Sequence, residues 1–120
     1  MSKSHIVYLQ HILQECCYVT SVVTDSLPMY QFLSDETLKR AVTRSLEIIG
    51  EATKKIPADV KYEWNDISWK QMAGMRDKLI HDYMGVNYLI VWDVAKNIIP
   101  VLIPQIEAII DKEKENRINR

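Results

Sequence analysis

The sequence is poor in the residues that interrupt helices, with 3 glycines and 4 prolines among 120 positions. That scarcity leaves long uninterrupted segments and argues against a sheet protein, which needs frequent turns. Cysteine is scarce too: the only 2, Cys16 and Cys17, are adjacent. Sequence neighbours rarely bridge, so there is no disulfide framework and a reducing compartment is implied. The formal net charge of -1 excludes the bulk basicity that drives nonspecific nucleic-acid binding, so any RNA contact needs a local basic patch. No apolar run reaches the roughly 18 residues of a membrane span, and the opening MSKSHIVYLQ lacks the apolar core of a signal peptide. A cytoplasmic protein with no membrane association is expected.

A hydrophobic fraction of 48% and a charged fraction of 26% suit one globular domain spanning residues 1–120, with a polar tail over about 111–120. From 4 to 24 one stripe runs through Ile6, Leu9, Leu13, Cys16, Thr20 and Val23, and a second through Tyr8, Ile12, Val19 and Val22. Both have helical spacing, which predicts a first helix with two partners, a core and another subunit. Pro28 breaks the pattern in SLPMYQF. A second helix is predicted from a cap at Ser34, with Asp35 and Glu36 in the first turn and Leu33 and Leu38 as a hydrophobic staple. Lys54 and Lys55 suit its C-terminal end, and Pro57 stops it. Ser68 and Gln71 form a capping-box pattern that starts a third helix, predicted to reach Tyr83 or Met84, with Gly85 as its stop. Asn87 caps a fourth, which Pro100 and Pro104 break or kink before a last apolar stripe. Strand alternation is absent, so the expected fold is all-α, an up-and-down bundle of four to five helices.

One stretch carries chemistry. RDKLIHDY, residues 76 to 83, sets a fixed cation, an imidazole and a phenol within eight positions. Cleaving RNA without a metal takes a base for the ribose hydroxyl proton, a cation for the charged phosphorus centre and an acid for the leaving oxygen. Histidine suits both proton transfers because its pKa of about 6.5 lies near working pH. Arginine suits the phosphate because its planar donors match two oxygens. Arg76, Lys78 and His81 form such a set. On a continuous helix, residues five apart differ by roughly 140°, so Arg76 and His81 converge only across a groove or if the helix ends near His81. A two-fold dimer would bring a second arginine and histidine to one cleft. An Arg-x4-His pair arises by chance in about one chain in eight of this composition, and with the tyrosine in under about one in a hundred.

MRDKLIHDYMGVNYLIVWDVAKNIIPVLIPQIE resembles the C-terminal half of the HepT-like branch of the HEPN superfamily. The matching positions are Arg76, His81, Tyr83, Val86, Trp92 and Pro100. RSLEIIGEATKKI, from Arg44 to Ile56, resembles the other characteristic helix of that branch. The resemblance covers most of the chain apart from the SLPMYQF region, and the first helix carries no matching motif. It implies a HEPN-like homodimeric helical bundle with paired motifs at the dimer cleft, and a metal-independent endoribonuclease toxin that needs no cofactor. Arg76 and His81 would be catalytic, with Asp77 and Lys78 in support. The implied partner is a minimal nucleotidyltransferase antitoxin that silences the toxin by transferring AMP onto Tyr83. The alternative is a non-catalytic helical subunit that binds or presents substrate to a nucleotidyltransferase.

Each candidate has a plainer reading. His81 would be a surface histidine at a helix end, Arg76 one half of an ion pair, and Tyr83 a core ring with an exposed hydroxyl. Glu47 and Glu51, one turn apart, would be metal ligands or a polar helix face; no Glu-x-x-His accompanies them, which favours the face. His5 and His11 are poorly spaced for a metal. Cys16 and Cys17 read as small buried residues, and Trp64, Trp69 and Trp92 as core or interface anchors.

Overall fold

A computed structural model describes the backbone of residues 3–81 and 85–118 and the side chains of 5–79 and 85–116. The chain folds as an all-α bundle. Its longest elements are α1 (Lys3–Val22), α3 (Glu36–Lys54) and α8 (Ile99–Ile118). Short helices connect them: α2 (Met29–Ser34), α4 (Ala58–Glu63), α5 (Trp69–Ala73), α6 (Met75–Leu79) and α7 (Tyr88–Asp93). One antiparallel ladder, β1 (Ile80–His81) with β2 (Gly85–Val86), sits between α6 and α7.

The two stripes expected on α1 merge. Ile6, Leu9, Ile12, Cys16 and Val19 are buried on one wide face, while Leu13, Tyr8 and Val22 are half-buried at its margins. Both partners of that face are helices of the same chain, α3 and α8. The packing of α1 therefore needs no second subunit. Cys16 is buried as expected, but Cys17 is exposed, because a step of one residue on a helix turns the side chain about 100° away. Burial pushes the Cys16 thiol up from 9.0 to about 12, helped by the neighbouring charges of Cys17 and Glu15.

The sequence break at Pro28 directly precedes α2: Pro28 is its N-cap, extended at φ -78° and ψ 152°, and its carbonyl accepts from the Gln31 and Phe32 amides at 3.1 and 3.2 Å. Phe32 of α2 is fully buried, its ring 5.3 Å from that of Trp92. Asp35, one residue beyond the expected Ser34, caps α3 by accepting from the Leu38 amide at 3.0 Å. Thr43 and Thr53, buried in α3, donate their hydroxyls back to the carbonyls of Lys39 and Ile49 at 2.8 and 2.7 Å, so neither is left unpaired. Trp69 is buried and donates Nε1–H to the Trp64 carbonyl at 2.9 Å, consistent with an anchor.

Pro100 and Pro104 do not break the last helix. A π-helical turn over Val94–Ile98 joins α7 to α8, and Ile99 N–H donates to the Val94 carbonyl five residues back. That wider turn gives room ahead of Pro100, whose ring and missing N–H do not fit a regular α-turn. The continuous helix Tyr88–Asn116 is long and apolar enough to cross a membrane by length and composition. Its residues Val91, Ile99, Leu102, Ile106 and Ile109 are buried in the bundle core.

Candidate active site

The motif occupies a part of the chain where the backbone changes course repeatedly. Gly74 separates α5 from α6, and α6 stops at Leu79. The expected third helix through Tyr83 or Met84 is thus two short helices and a ladder. Met75 and Leu79, one turn apart, are buried and fix α6 to the core. Arg76, Asp77 and Lys78 between them are exposed. Among the described residues none of the three makes an ion pair, so the Arg76 guanidinium is not committed to a described carboxylate.

Beyond Leu79 the backbone is extended. His81 pairs with Gly85 and Ile80 with Val86, and Asn87 N–H donates to the Leu79 carbonyl at 2.8 Å, closing the excursion at its base. Gly85 has φ 96°, a left-handed conformation that a side chain would strain. It serves the ladder and not a helix stop. The 140° separation of a continuous helix does not apply to Arg76 and His81, because the helix ends between them. The His81 side chain, and all of Asp82, Tyr83 and Met84, lie outside the described residues.

Three features behind the motif were not anticipated. Gly50 of α3 abuts the α5–α6 junction: a Cβ there would lie 3.1 Å from the Met72 carbonyl oxygen and 3.8 Å from the Arg76 nitrogen. The sequence signal was a lone glycine inside a helical pattern. Lys39, also on α3, is buried; its Nζ lies 2.7 Å from Glu36 and 4.5 Å from the centre of the Tyr88 ring. The hydrogen bond and charge of Lys39 hold the Glu36 carboxyl below its ordinary pKa. This ties the start of α3 to the start of α7, directly after the ladder. The third is a slot of about 80 Å³ beside α6. Asn87, which was anticipated, caps α7 by accepting from the amides of Leu89 and Ile90 at 3.2 and 3.3 Å.

The plainer candidates resolve along the helices. Glu47 and Glu51 pair with Arg44 and Lys54 at 3.8 and 3.7 Å, a polar helix face. His5 is buried with Nε2 3.3 Å from Glu113, oriented so that neither ring nitrogen forms a hydrogen bond. No group of three or more His, Cys, Asp or Glu able to hold a metal occurs among the described residues.

Comparison with known proteins agrees with this picture. Residues 11–109 match the family described as Ribonuclease HepT-like. A provisionally named RNase of Caldanaerobacter subterraneus subsp. tengcongensis is 48% identical over 107 residues, covering 89% of this chain and 95% of that protein. A provisionally named RNase of Methanocaldococcus jannaschii is 44% identical over 105 residues, covering 86% and 84%. A provisionally named ribonuclease HepT of Thermococcus cleftensis is 44% identical over 102 residues, covering 85% and 92%. No solved structure matches the chain. With the match spanning most of its length, the chain belongs to the HepT-like ribonuclease family and is by that membership a nuclease.

Proposed function

We propose that the chain is the ribonuclease toxin of a toxin–antitoxin pair, active in the cytoplasm, with Arg76 and His81 as catalytic residues acting without a metal. The observation that carries this reading is the end of α6 at Leu79. It leaves Arg76 exposed on a short anchored helix and puts His81 in an extended segment two residues further on. That geometry favours convergence of the two on one phosphodiester.

One imidazole takes the proton of a ribose 2′-hydroxyl, whose oxygen attacks the adjacent phosphorus. The bond to the next nucleotide's 5′-oxygen breaks, and that oxygen receives a proton from a second imidazole. The products are a 2′,3′-cyclic phosphate end and a 5′-hydroxyl end. Arg76 holds the non-bridging oxygens as their charge grows, supported by Asp77 and Lys78. Each protomer supplies one motif histidine, so a homodimer that pairs two motifs lets base and acid be different copies of His81. With cleavage assayed in EDTA, His81→Ala is expected to reduce the rate about a hundred-fold or more while the helical fold survives. Unchanged cleavage by the folded variant overturns the mechanism and leaves the non-catalytic subunit reading.

The antitoxin partner is a minimal nucleotidyltransferase. It transfers AMP from ATP to the Tyr83 phenol oxygen and releases pyrophosphate. Lying two residues beyond His81, the added phosphate would occupy Arg76 and repel an incoming RNA phosphate. Intact mass and peptide mapping after incubation with the cognate transferase and ATP should show one AMP on Tyr83 and loss of cleavage. AMP on another residue, or modified protein that still cuts at the original rate, ends this part of the proposal.

A further inference from the structure

Glu47 is unlike the other glutamates of α3. Its side chain is 21% exposed, against 65% for Glu36 and 52% for Glu51. Removing a carboxylate from water is costly unless it is paired. Among the described residues its ion-pair partner is Arg44, at 3.8 Å and itself 70% exposed. So long and solvent-screened a pair offsets little. What covers Glu47 lies on one side of it. Arg44 and Glu51, toward α1, are exposed and border a groove with Tyr8 and His11. Thr43 and Gly50, on its other side, are buried, and Gly50 abuts the α5–α6 junction. The half-buried carboxylate therefore stands on the α6 flank of α3.

The motif arginine comes to the same flank. On α6, Met75 and Leu79 face the core, and Lys78 borders the slot against α7 and α8. Arg76 is on the opposite side of that buried face, toward α3, with its nitrogen 3.8 Å from where a Cβ of Gly50 would be. Residues three apart on a helix have Cβ atoms ~5–6 Å apart, which puts the Glu47 Cβ within about 10 Å of the Arg76 nitrogen. A glutamate carboxylate reaches about 3–4 Å beyond its Cβ, and an arginine guanidinium about 6 Å beyond its Cα, so the two side chains span the gap. In the free protein the pair is open, and contacts of this kind tighten when substrate binds.

We infer that Glu47 is a positioning residue for Arg76: its carboxylate accepts two hydrogen bonds from one edge of the guanidinium and leaves the other edge for the non-bridging oxygens of the scissile phosphate. The close approach at Gly50 sets where Arg76 starts, and Glu47 sets where its guanidinium points. A fixed guanidinium has less orientational freedom to lose in the transition state. The same carboxylate repels the phosphate, so it aids the chemical step and not ground-state binding. The catalytic consequence rests on the ribonuclease reading; the contact between the two side chains does not.

Two measurements test it. The first compares the cleavage kinetics of Glu47→Gln, which keeps the shape and removes the charge, with those of Glu51→Gln on the α1 flank. Glu47→Gln should lower kcat about tenfold or more without raising KM, and should cost nothing further in an Arg76→Lys background, where the two-edged guanidinium is already gone. Glu51→Gln should cut at the wild-type rate. Unchanged cleavage by Glu47→Gln, equal losses in both glutamine variants, or a loss that adds fully to that of Arg76→Lys overturns the inference and leaves the ribonuclease reading standing. The second is a crystal structure of the wild type with a 2′-deoxy dinucleotide, which lacks the attacking hydroxyl. Guanidinium nitrogens of Arg76 within about 3 Å of both Glu47 carboxylate oxygens are expected. A guanidinium turned away from Glu47 overturns the contact. If the protein cuts no RNA, the cleavage reading fails and this structure alone decides the contact.

Discussion

The long-helix frame and the motif edge are held together in different ways. In the frame, α1, α3 and α8 bury continuous apolar faces: Leu9, Ile12, Leu46, Ile49, Ile106 and Ile109 are all fully buried. Stability there comes from area, and no single directed contact decides the geometry. At the edge, α5 and α6 are five residues each and the ladder pairs two with two. Helices that short have no stability of their own. They are placed by a few buried side chains, Trp69, Met72, Met75 and Leu79, and by directed contacts: the close approach at Gly50, the Asn87-to-Leu79 hydrogen bond, and Lys39 over Tyr88. Damage to the frame should therefore appear as lost stability, and damage to the edge as lost activity.

The sharpest contrast comes from truncating the frame. Leu46→Ala removes a fully buried side chain and should cost about 3 kcal/mol, since the space cannot collapse completely. Urea unfolding is the measurement. Arg76→Ala, at an exposed position, should move the same transition by under about 0.5 kcal/mol while abolishing cleavage. A comparable loss of stability in both variants would erase the distinction.

The frame also carries a chemical signature. The Cys16 thiol has its pKa raised from 9.0 to about 12, so the folded state holds its proton more tightly than the unfolded state does. The contribution to stability is full below pH 9.0 and is lost as pH rises toward about 12. Across that window the wild type should lose up to about 1.4 kcal/mol per pH unit more than Cys16→Ala, which has no thiol to ionise. Comparing the two unfolding transitions at pH 8 and pH 10 separates this thiol from the tyrosines and lysines common to both. Parallel losses would remove Cys16 as the cause.

The same division marks what could be read from the sequence. The frame was legible because its helices are long and periodic: Leu38 to Lys54 and the stop at Pro57 follow from local rules. The wide face of α1 was split into two stripes because both of its partners lie within the chain, and spacing alone does not say who covers a face. The edge was less legible. Ile80 and His81 continue an apparently helical run, and it is their pairing with Val86 and Gly85 and the Asn87 N–H returning to Leu79 that show the helix has ended. The chemistry of Arg76 and His81 was legible from residue type, and the match of residues 11–109 supports the family. Gly50 and Lys39 escaped notice because each acts on residues far along the chain, and no local pattern reports such contacts.

Gly50 is where frame and edge meet, and it offers the most discriminating test. Alanine favours a helix over glycine by about 1 kcal/mol. Here its Cβ would sit 3.1 Å from the Met72 carbonyl oxygen, tighter than comfortable contact, and the backbone of the α5–α6 junction would have to yield by a few tenths of an ångström. Overpacking of that kind costs about 1–3 kcal/mol, so gain and cost largely offset each other and Gly50→Ala should shift unfolding by only about 1 kcal/mol. The displaced backbone carries Arg76, whose nitrogen lies 3.8 Å from the same Cβ position. Since a misplacement of about 1 Å can cost a hundred-fold in rate, a shift of tenths should cost up to about tenfold in cleavage. The expected result is a folded protein of near-normal stability that cuts RNA several-fold more slowly. Normal cleavage with a large loss of stability would make Gly50 an ordinary packing residue of the frame, and the positioning of Arg76 would then have to come from α6 alone.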